Sequence, residues 1–271
     1  MKMKLITPLL FALMSVNASA IAGDQSFSFG FSGGYLVPIH SGSFTYINKD
    51  TPYSGKFRFS FDKGAGVWTA LTGTFKLDKE SKFSIGTSLG YSSFTSEDDK
   101  ERDSYVATLT YGEKVTTVMF FYNKFSEFAL NATLNLRYKP FESNGLGILA
   151  GASGSYLISN SYLFIYDTVY DASVPKVVKP YFNLNEPPIV GNFVPYYRDI
   201  THIAIIYYDG RLPDINLLQI SLRTGLFYDF RVLGIILSPS IVYQYPLTKI
   251  SSSQDWKIHR LICSIDARYQ L

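Results

Sequence analysis

Residues 128–158 read FALNATLNLRYKPFESNGLGILAGASGSYLI, and the side chains of this stretch change character at every step. Phe128, Leu130, Ala132, Leu134, Leu136 and Tyr138 alternate with Ala129, Asn131, Thr133, Asn135, Arg137 and Lys139. A strand points successive side chains to opposite faces, so the pattern predicts one apolar and one polar face. Pro140, Glu142, Ser143, Asn144 and Gly145 supply a turn. Beyond it Ile148, Ala150, Ala152, Tyr156 and Ile158 alternate with Gly147, Gly151, Ser153, Ser155 and Ser159. The two halves form a β-hairpin with small or polar residues on one face. In a soluble sandwich the apolar face would cover a core; in an outer-membrane barrel it would meet lipid, with the polar face lining the interior.

The chain opens with Lys2 and Lys4, an apolar run from Leu5 to Val16, and then Asn17, Ala18, Ser19 and Ala20. This predicts a signal peptide over residues 1–20, cut after Ala20, with a second site after Ala22, and a mature barrel domain over 23–271. The apolar run is shorter than the roughly 20 residues a spanning helix needs, and no Cys follows it to take a lipid anchor. Downstream there is no apolar stretch of helical spanning length, so a place in a membrane requires strands closed into a barrel. The single cysteine, Cys263, cannot form an internal disulfide and is expected to act as a small apolar residue. A net charge of +3, with no basic stripe, points away from nucleic acid. Aromatics make up 16% of the chain, 21 Tyr and 21 Phe against 2 Trp, an excess that suits strands and a lipid–water boundary.

In order, the expected strands are Phe27–Val37, Val67–Leu77, Lys82–Phe94, the two arms of the opening hairpin, Leu218–Phe230, Leu233–Tyr245 and Arg260–Leu271. Residues 38–65 read as a long loop with a short hairpin near Phe57–Phe61. Ser96, Glu97, Asp98, Asp99, Lys100, Glu101, Arg102 and Asp103 must stand in water. Residues 105–122 read either as a hairpin above the membrane or as two further wall strands. Residues 163–214 form a long connection whose prolines at 175, 180, 187, 188, 195 and 213 argue against wall strands. A tight turn is expected near Arg231, and Pro239 suggests a bulge.

Eight strands make long and short connections alternate strictly, the asymmetry of bacterial barrels with short periplasmic turns and longer external loops. On that reading Phe27, Phe75, Phe83, Tyr138, Tyr228 and Tyr269 lie near the short turns, and Tyr35, Tyr91, Tyr156, Tyr243 and Tyr245 near the long loops. Two aromatic girdles on one face are what bilayer interfaces favour. The expected fold is therefore all-β, an eight-stranded antiparallel transmembrane β-barrel with long extracellular loops, with ten strands as the alternative. Direct pairing of Lys82–Phe94 with Phe128–Lys139 decides for eight.

GRLPDIN at 210–216, GLFYDFRVLGIILSPSIVYQYPLTKI at 225–250 and the closing DWKIHRLICSIDARYQL resemble the C-terminal half of the PorT-like outer-membrane β-barrel family. The likeness extends loosely over 66–94 and better over 125–271. It implies a small barrel of the outer membrane, exported by a signal peptide, inserted by the assembly machinery and associated with secretion and gliding systems. The chain closes Tyr269, Gln270, Leu271 rather than on a terminal aromatic, and keeps its outward aromatic at Tyr269.

Chemistry is sparse. His40 sits beside Ser41 and Ser43, His202 lies in the long connection and His259 heads the last strand. No phosphate-binding Gly-rich loop and no paired metal ligands occur, so neither a cofactor nor a metal is expected and an enzyme is not the favoured reading. Arg137, Lys139, Arg223, Asp229, Arg260, Asp266 and Arg268 fall on the inward faces, either as a paired structural plug, the favoured reading, or as an ion gate. Bases outnumber acids among them, so at least one partner is expected from a loop, water or a lipid phosphate. In the long connection Tyr170, Tyr181, Phe193, Tyr196, Tyr197, Tyr207 and Tyr208 make a candidate binding loop, either a lid, an aromatic patch for a protein or glycan, or a loop packed on its neighbours. The leading function is a non-enzymatic outer-membrane protein in surface binding, envelope structure or a secretion or assembly system. The alternatives are a small pore for small or hydrophobic solutes and, third, lipid modification through His40.

Overall fold

The computed structural model describes residues 27–45, 56–57, 63–78, 80, 82–108, 114–141, 145–169, 194–197, 202–211, 214–252 and 255–271. The expected signal peptide and both cleavage sites lie outside these residues, as do Tyr170, Tyr181 and Phe193. The strands are β1 (Phe27–Thr45), β2 (Lys56–Phe57), β3 (Lys63–Lys76), β4 (Phe83–Thr108), β5 (Lys114–Tyr138), β6 (Leu146–Val169), β7 (Val194–Tyr197), β8 (His202–Gly210), β9 (Leu218–Tyr228), β10 (Phe230–Val232), β11 (Ile235–Pro246) and β12 (Asp255–Gln270).

Each of β1, β3, β4, β5, β6, β9, β11 and β12 pairs antiparallel with two others of this set, and β12 returns to β1 along Ser28↔Gln270 to Ser43↔Asp255. The wall is thus a closed eight-stranded barrel. Phe83 pairs with Tyr138 and Phe94 with Glu127, so the strand of the opening hairpin lies directly against β4. This rejects the ten-stranded alternative: the described parts of 105–122 are the upper ends of β4 and β5, which stay paired to Thr108↔Lys114.

The alternation read from the sequence sets the two faces. Leu71, Leu134, Leu226 and Ile265 are each more than half exposed on the outside, while Ser32, Thr74, Ser92, Asn131, Ser153 and Ser221 are buried within. Such a continuous apolar exterior over a partly polar interior is the architecture of an outer-membrane β-barrel. Phe83 stacks on Tyr138 at a centroid distance of 4.7 Å near the short-turn end, and exposed Tyr35, Tyr91, Tyr156 and Tyr245 stand toward the other.

The interior is less polar than the sequence reading has it. Leu36, Trp68, Phe94, Phe125, Leu149, Phe227, Val242, Trp256, Ile258 and Ile262 point inward and are buried together. A barrel of about eight strands has no room for a water channel, so its inner face packs as a core and draws on apolar side chains as well.

Four local corrections follow from the backbone. Between Phe128↔Ser159 and Ala129↔Leu157 the register shifts, leaving Ile158 as the extra residue of a bulge and moving Ser159 to the outer face, where it is exposed. The tight turn is Leu233–Gly234, both at positive φ (51° and 84°), two residues beyond the expected place. A two-residue hairpin needs left-handed backbone at both positions, which Gly234 adopts freely; Leu233 is therefore a turn residue, not part of the strand. Pro239 makes no bulge: its register with Ile265 is unbroken, and on the other side the ladder merely lapses opposite it, between Phe227↔Ser240 and Phe230↔Leu237. Near the first long loop, the expected hairpin at Phe57–Phe61 is represented by the two residues of β2, paired with Phe44 and Thr45 at the top of β1.

Beyond the mouth the barrel does not end in loose loops. Above Tyr156 the partner of β6 changes from β9 to β8, and β7 adds to β8, so β4, β5, β6, β8 and β7 continue as a sheet outside the barrel. Residues 98–108, at about 3.3 Å each, carry β4 roughly 35 Å past its last pairing with the wall strand β3, at Lys63↔Glu97. The connection after β6 thus begins later than expected and contains strands, though none in the wall, and Pro195 sits in the edge strand where a missing N–H does least harm.

Candidate functional site

Two networks fill the lumen. At the short-turn end Asp229, in the break between β9 and β10, receives Nη2 of Arg137 and Nη2 of Arg268 on Oδ1, each at 2.8 Å, and Lys139 Nζ approaches Oδ2 at 3.6 Å. Ser238 Oγ also donates to this carboxylate and in turn accepts from Arg268 at 2.7 Å. Asp266 stands 3.7 Å from Arg137 Nη1. Arg268 Nη1 donates to Thr74 Oγ1 at 2.5 Å, and the Arg137 guanidinium lies 3.8 Å from the centroid of Phe227. Arg223 lies over Trp68 at 5.7 Å, beside a cavity of about 40 Å³ lined by serines, threonines, Asn135 and Asp266. That space suits ordered water, not a permeating solute.

Halfway up, Arg260 Nη2 donates to Glu127 Oε1 and to Gln219 Oε1 at 2.9 Å, and its Nη1 to Ser155 Oγ at 3.3 Å. Asn131 continues this network to Ser92 at 3.0 Å and receives Ser155 Oγ at 2.6 Å. Glu127 was missed by the sequence reading, and it is the partner that the excess of bases demanded: it comes from a wall strand, not from a loop, water or lipid. The signal was available, since Glu127 has the same parity as inward Ala129 and Asn131, one step before the point at which the opening stretch begins.

Toward the outer end an aromatic layer covers this pair. Trp256 stacks on His40 with 5.6 Å between centroids and a 15° tilt, and Phe125 meets Trp256 edge-on at 4.9 Å. Phe94 packs on Phe125 at 6.0 Å. His40 is not a solvated loop residue but a buried one on β1, because β1 runs on to Thr45. Trp256 Nε1–H, a donor only, points at His40 Nδ1 at 3.1 Å, so Nδ1 accepts and the neutral ring carries its proton on Nε2, donating to Ser96 Oγ at 2.6 Å. A general base for Ser96 would need the opposite tautomer, and the arrangement serves packing. Ser41, the neighbour of His40, points outward and bonds His259 instead. Ser43 pairs with Asp255 at the top of the wall.

Of the candidate binding loop, Tyr196 and Tyr197 lie on β7, and Tyr207 and Tyr208 on β8, with Tyr207 at the register shift between Phe164 and Ile165. His202 opens β8 opposite Val169. Cross-strand register sets Glu101, Phe121, Tyr166, Ile205 and Pro195 in one row of the outer sheet, and Asp103, Met119, Thr168, Ile203 and Tyr197 in another.

No protein-family model matches the chain, and no curated protein does. The resemblance to the PorT-like family rests on the residues quoted for it alone. Among solved structures, Ail, the attachment invasion locus protein of Yersinia pestis, in complex with the heparin analogue sucrose octasulfate, shares 11% identity over 90% of this chain and 99% of its own, with a TM-score of 0.33. The CymD monoaromatic hydrocarbon channel shares 7% over 91% and 88%, with a TM-score of 0.20. A Pseudomonas aeruginosa FadL homologue shares 9% over 90% of each, also at 0.20. At these scores the likeness adds nothing to what the strand register shows.

Proposed function

We propose that this chain is a non-enzymatic outer-membrane protein that acts through the sheet it raises above the membrane, binding a protein or glycan at the cell surface or bracing a secretion or assembly complex. One contrast supports this reading: the lumen is occupied from Asp229 up to Trp256, while β4, β5 and β6 continue well beyond it and gain β8 and β7. A pore has no use for strands that extend past its closed mouth; a docking surface does. In sequence, the positions that register aligns there include Glu101 and Asp103 of β4 with Phe121 of β5, Tyr166 of β6 and Ile205 of β8, residue types that suit a partner with both polar and apolar contacts. Among the roles, the PorT-like resemblance favours a secretion or gliding complex.

The purified full-length protein is expected to give no sustained single-channel steps in planar bilayers. Replacing residues 170–208 by a short Gly and Ser linker is expected to leave a heat-resistant inserted barrel that fails to rescue the cellular phenotype of the gene's loss. Sustained steps would favour the pore reading, and full rescue by the shortened protein would move the function into the barrel.

A further inference from the structure

On the outer face, at the level of the upper girdle, three adjacent strands gather polar groups that the wall does not need for closure. On β1, β12 and β11, Ser41 lies opposite Lys257, Ile39 opposite His259, and Tyr243 opposite Leu261. One hydrogen-bonded chain crosses them, with Ser41 Oγ 2.9 Å from His259 Nε2 and Tyr243 Oη 2.6 Å from His259 Nδ1. Tyr245 stands edge-on to the His259 ring at 5.3 Å, and Lys257 Nζ lies 5.9 Å from the centroid of Tyr245. A neutral imidazole accepts at one ring nitrogen and donates at the other. Whichever nitrogen holds the proton, one hydroxyl gives its hydrogen to the ring and the other receives one, keeping its own O–H to donate elsewhere. That O–H and the Lys257 ammonium are therefore neighbouring donors at the lipid–water boundary. Asp255, two residues before Lys257 on β12, is engaged by Lys249 Nζ at 3.1 Å.

Below this cluster the same strands carry small outward residues. Gly33, Pro239 and Cys263 floor a groove of about 520 Å³ walled by Ile241, Ile265 and Tyr228. Its depth at Gly33 is real space, because a Cβ built there meets nothing nearer than the Phe31 ring at 4.0 Å. From His259 to Cys263 the rise along β12 is about 13 Å, within the length of one acyl chain.

We propose that this face binds one anionic lipid of the outer leaflet, its phosphate on Lys257 and the Ser41–His259–Tyr243 chain and an acyl chain in the groove. Two features at matching depths select the ligand. Donors and a cation favour a phosphate without a compensating ammonium, and the groove favours an attached chain over a free anion.

The full-length protein, in nanodiscs of equimolar phosphatidylglycerol and phosphatidylcholine, is tested by native mass spectrometry of the lipids that stay bound. The wild type is expected to retain phosphatidylglycerol over phosphatidylcholine by about tenfold, the discrimination of one charge-assisted contact. Lys257→Gln removes the charge and Gly33→Leu fills the groove, and each is expected to bring the ratio close to one while keeping the heat-modifiable migration of a folded barrel. No preference in the wild type, or an unchanged preference in both variants, overturns the proposal. Loss in Lys257→Gln alone, with inorganic phosphate displacing the lipid, overturns it in favour of a free-anion site. Loss in Gly33→Leu alone overturns it in favour of apolar recognition without a headgroup.

Discussion

Glu127 and Arg260 form the most demanding contact of the interior, since their side chains keep 0% and 2% of their surface. Taking two charges out of water costs several kcal/mol each, and the pair holds because Gln219 and Ser155 also serve the guanidinium. Removing one partner strands the other charge, so Glu127→Ala is expected to cost about 3–5 kcal/mol, whereas the Glu127→Leu, Arg260→Leu double variant regains most of that loss. Urea unfolding in detergent micelles measures the cycle, and additive losses would show that the two residues are not coupled. Both were legible in the sequence once parity was followed far enough: Arg260 by its place in DWKIHRLICSIDARYQ, Glu127 by its spacing from Asn131. Trp256 and Ile258 have the parity of Arg260 as well. A polar inward face does not predict them, since that rule holds for wide barrels better than for one filled by its own side chains.

At the scale of elements, alternation identified every wall strand, and it failed where a strand's end or phase depends on backbone rather than side chains. The bulge at Ile158 has no residue signature, as an extra residue is simply unpaired. Of the two readings of residues 105–122, the hairpin beyond the wall is the one that β4 and β5 form, and only the charged run 96–103, which does not alternate in the manner of a membrane wall, conceals that these two strands run through it without a break in pairing partner. Their pairing is nevertheless testable directly. Leu89 and Ala132 are Cα partners on the outer face, and opposed residues of an antiparallel pair lie at about 4.5–5.5 Å, within reach of a disulfide. In a Cys263→Ser background, Leu89→Cys with Ala132→Cys is expected to cross-link under mild oxidation and shift on a non-reducing gel. Two strands inserted between β4 and β5 would hold these positions about 14 Å apart, three strand spacings, and no cross-link would form.

The molecule as a whole turns on which solvent meets its outer face. Were the barrel a soluble protein, the row running through Tyr35, Ile241 and Cys263 would need a covering layer; in a bilayer it needs none, because lipid covers it. Tyr35 and Ile241 are each about half exposed beside Cys263, itself exposed on the outer face next to the upper-girdle residue Tyr35. Cys263 is also the single cysteine of the chain, so the native thiol reports on that solvent without any substitution. A nitroxide attached to Cys263 in reconstituted bilayers is expected to relax faster with molecular oxygen, which partitions into lipid, than with a water-soluble nickel chelate. Its signal should also be insensitive to Lys257→Gln, because that residue lies about six positions, roughly 20 Å, along β12 toward the headgroups. Stronger relaxation by the nickel chelate would put this face in water, and with it would fall the membrane-spanning reading, the girdles and the lipid site on β1, β12 and β11 alike.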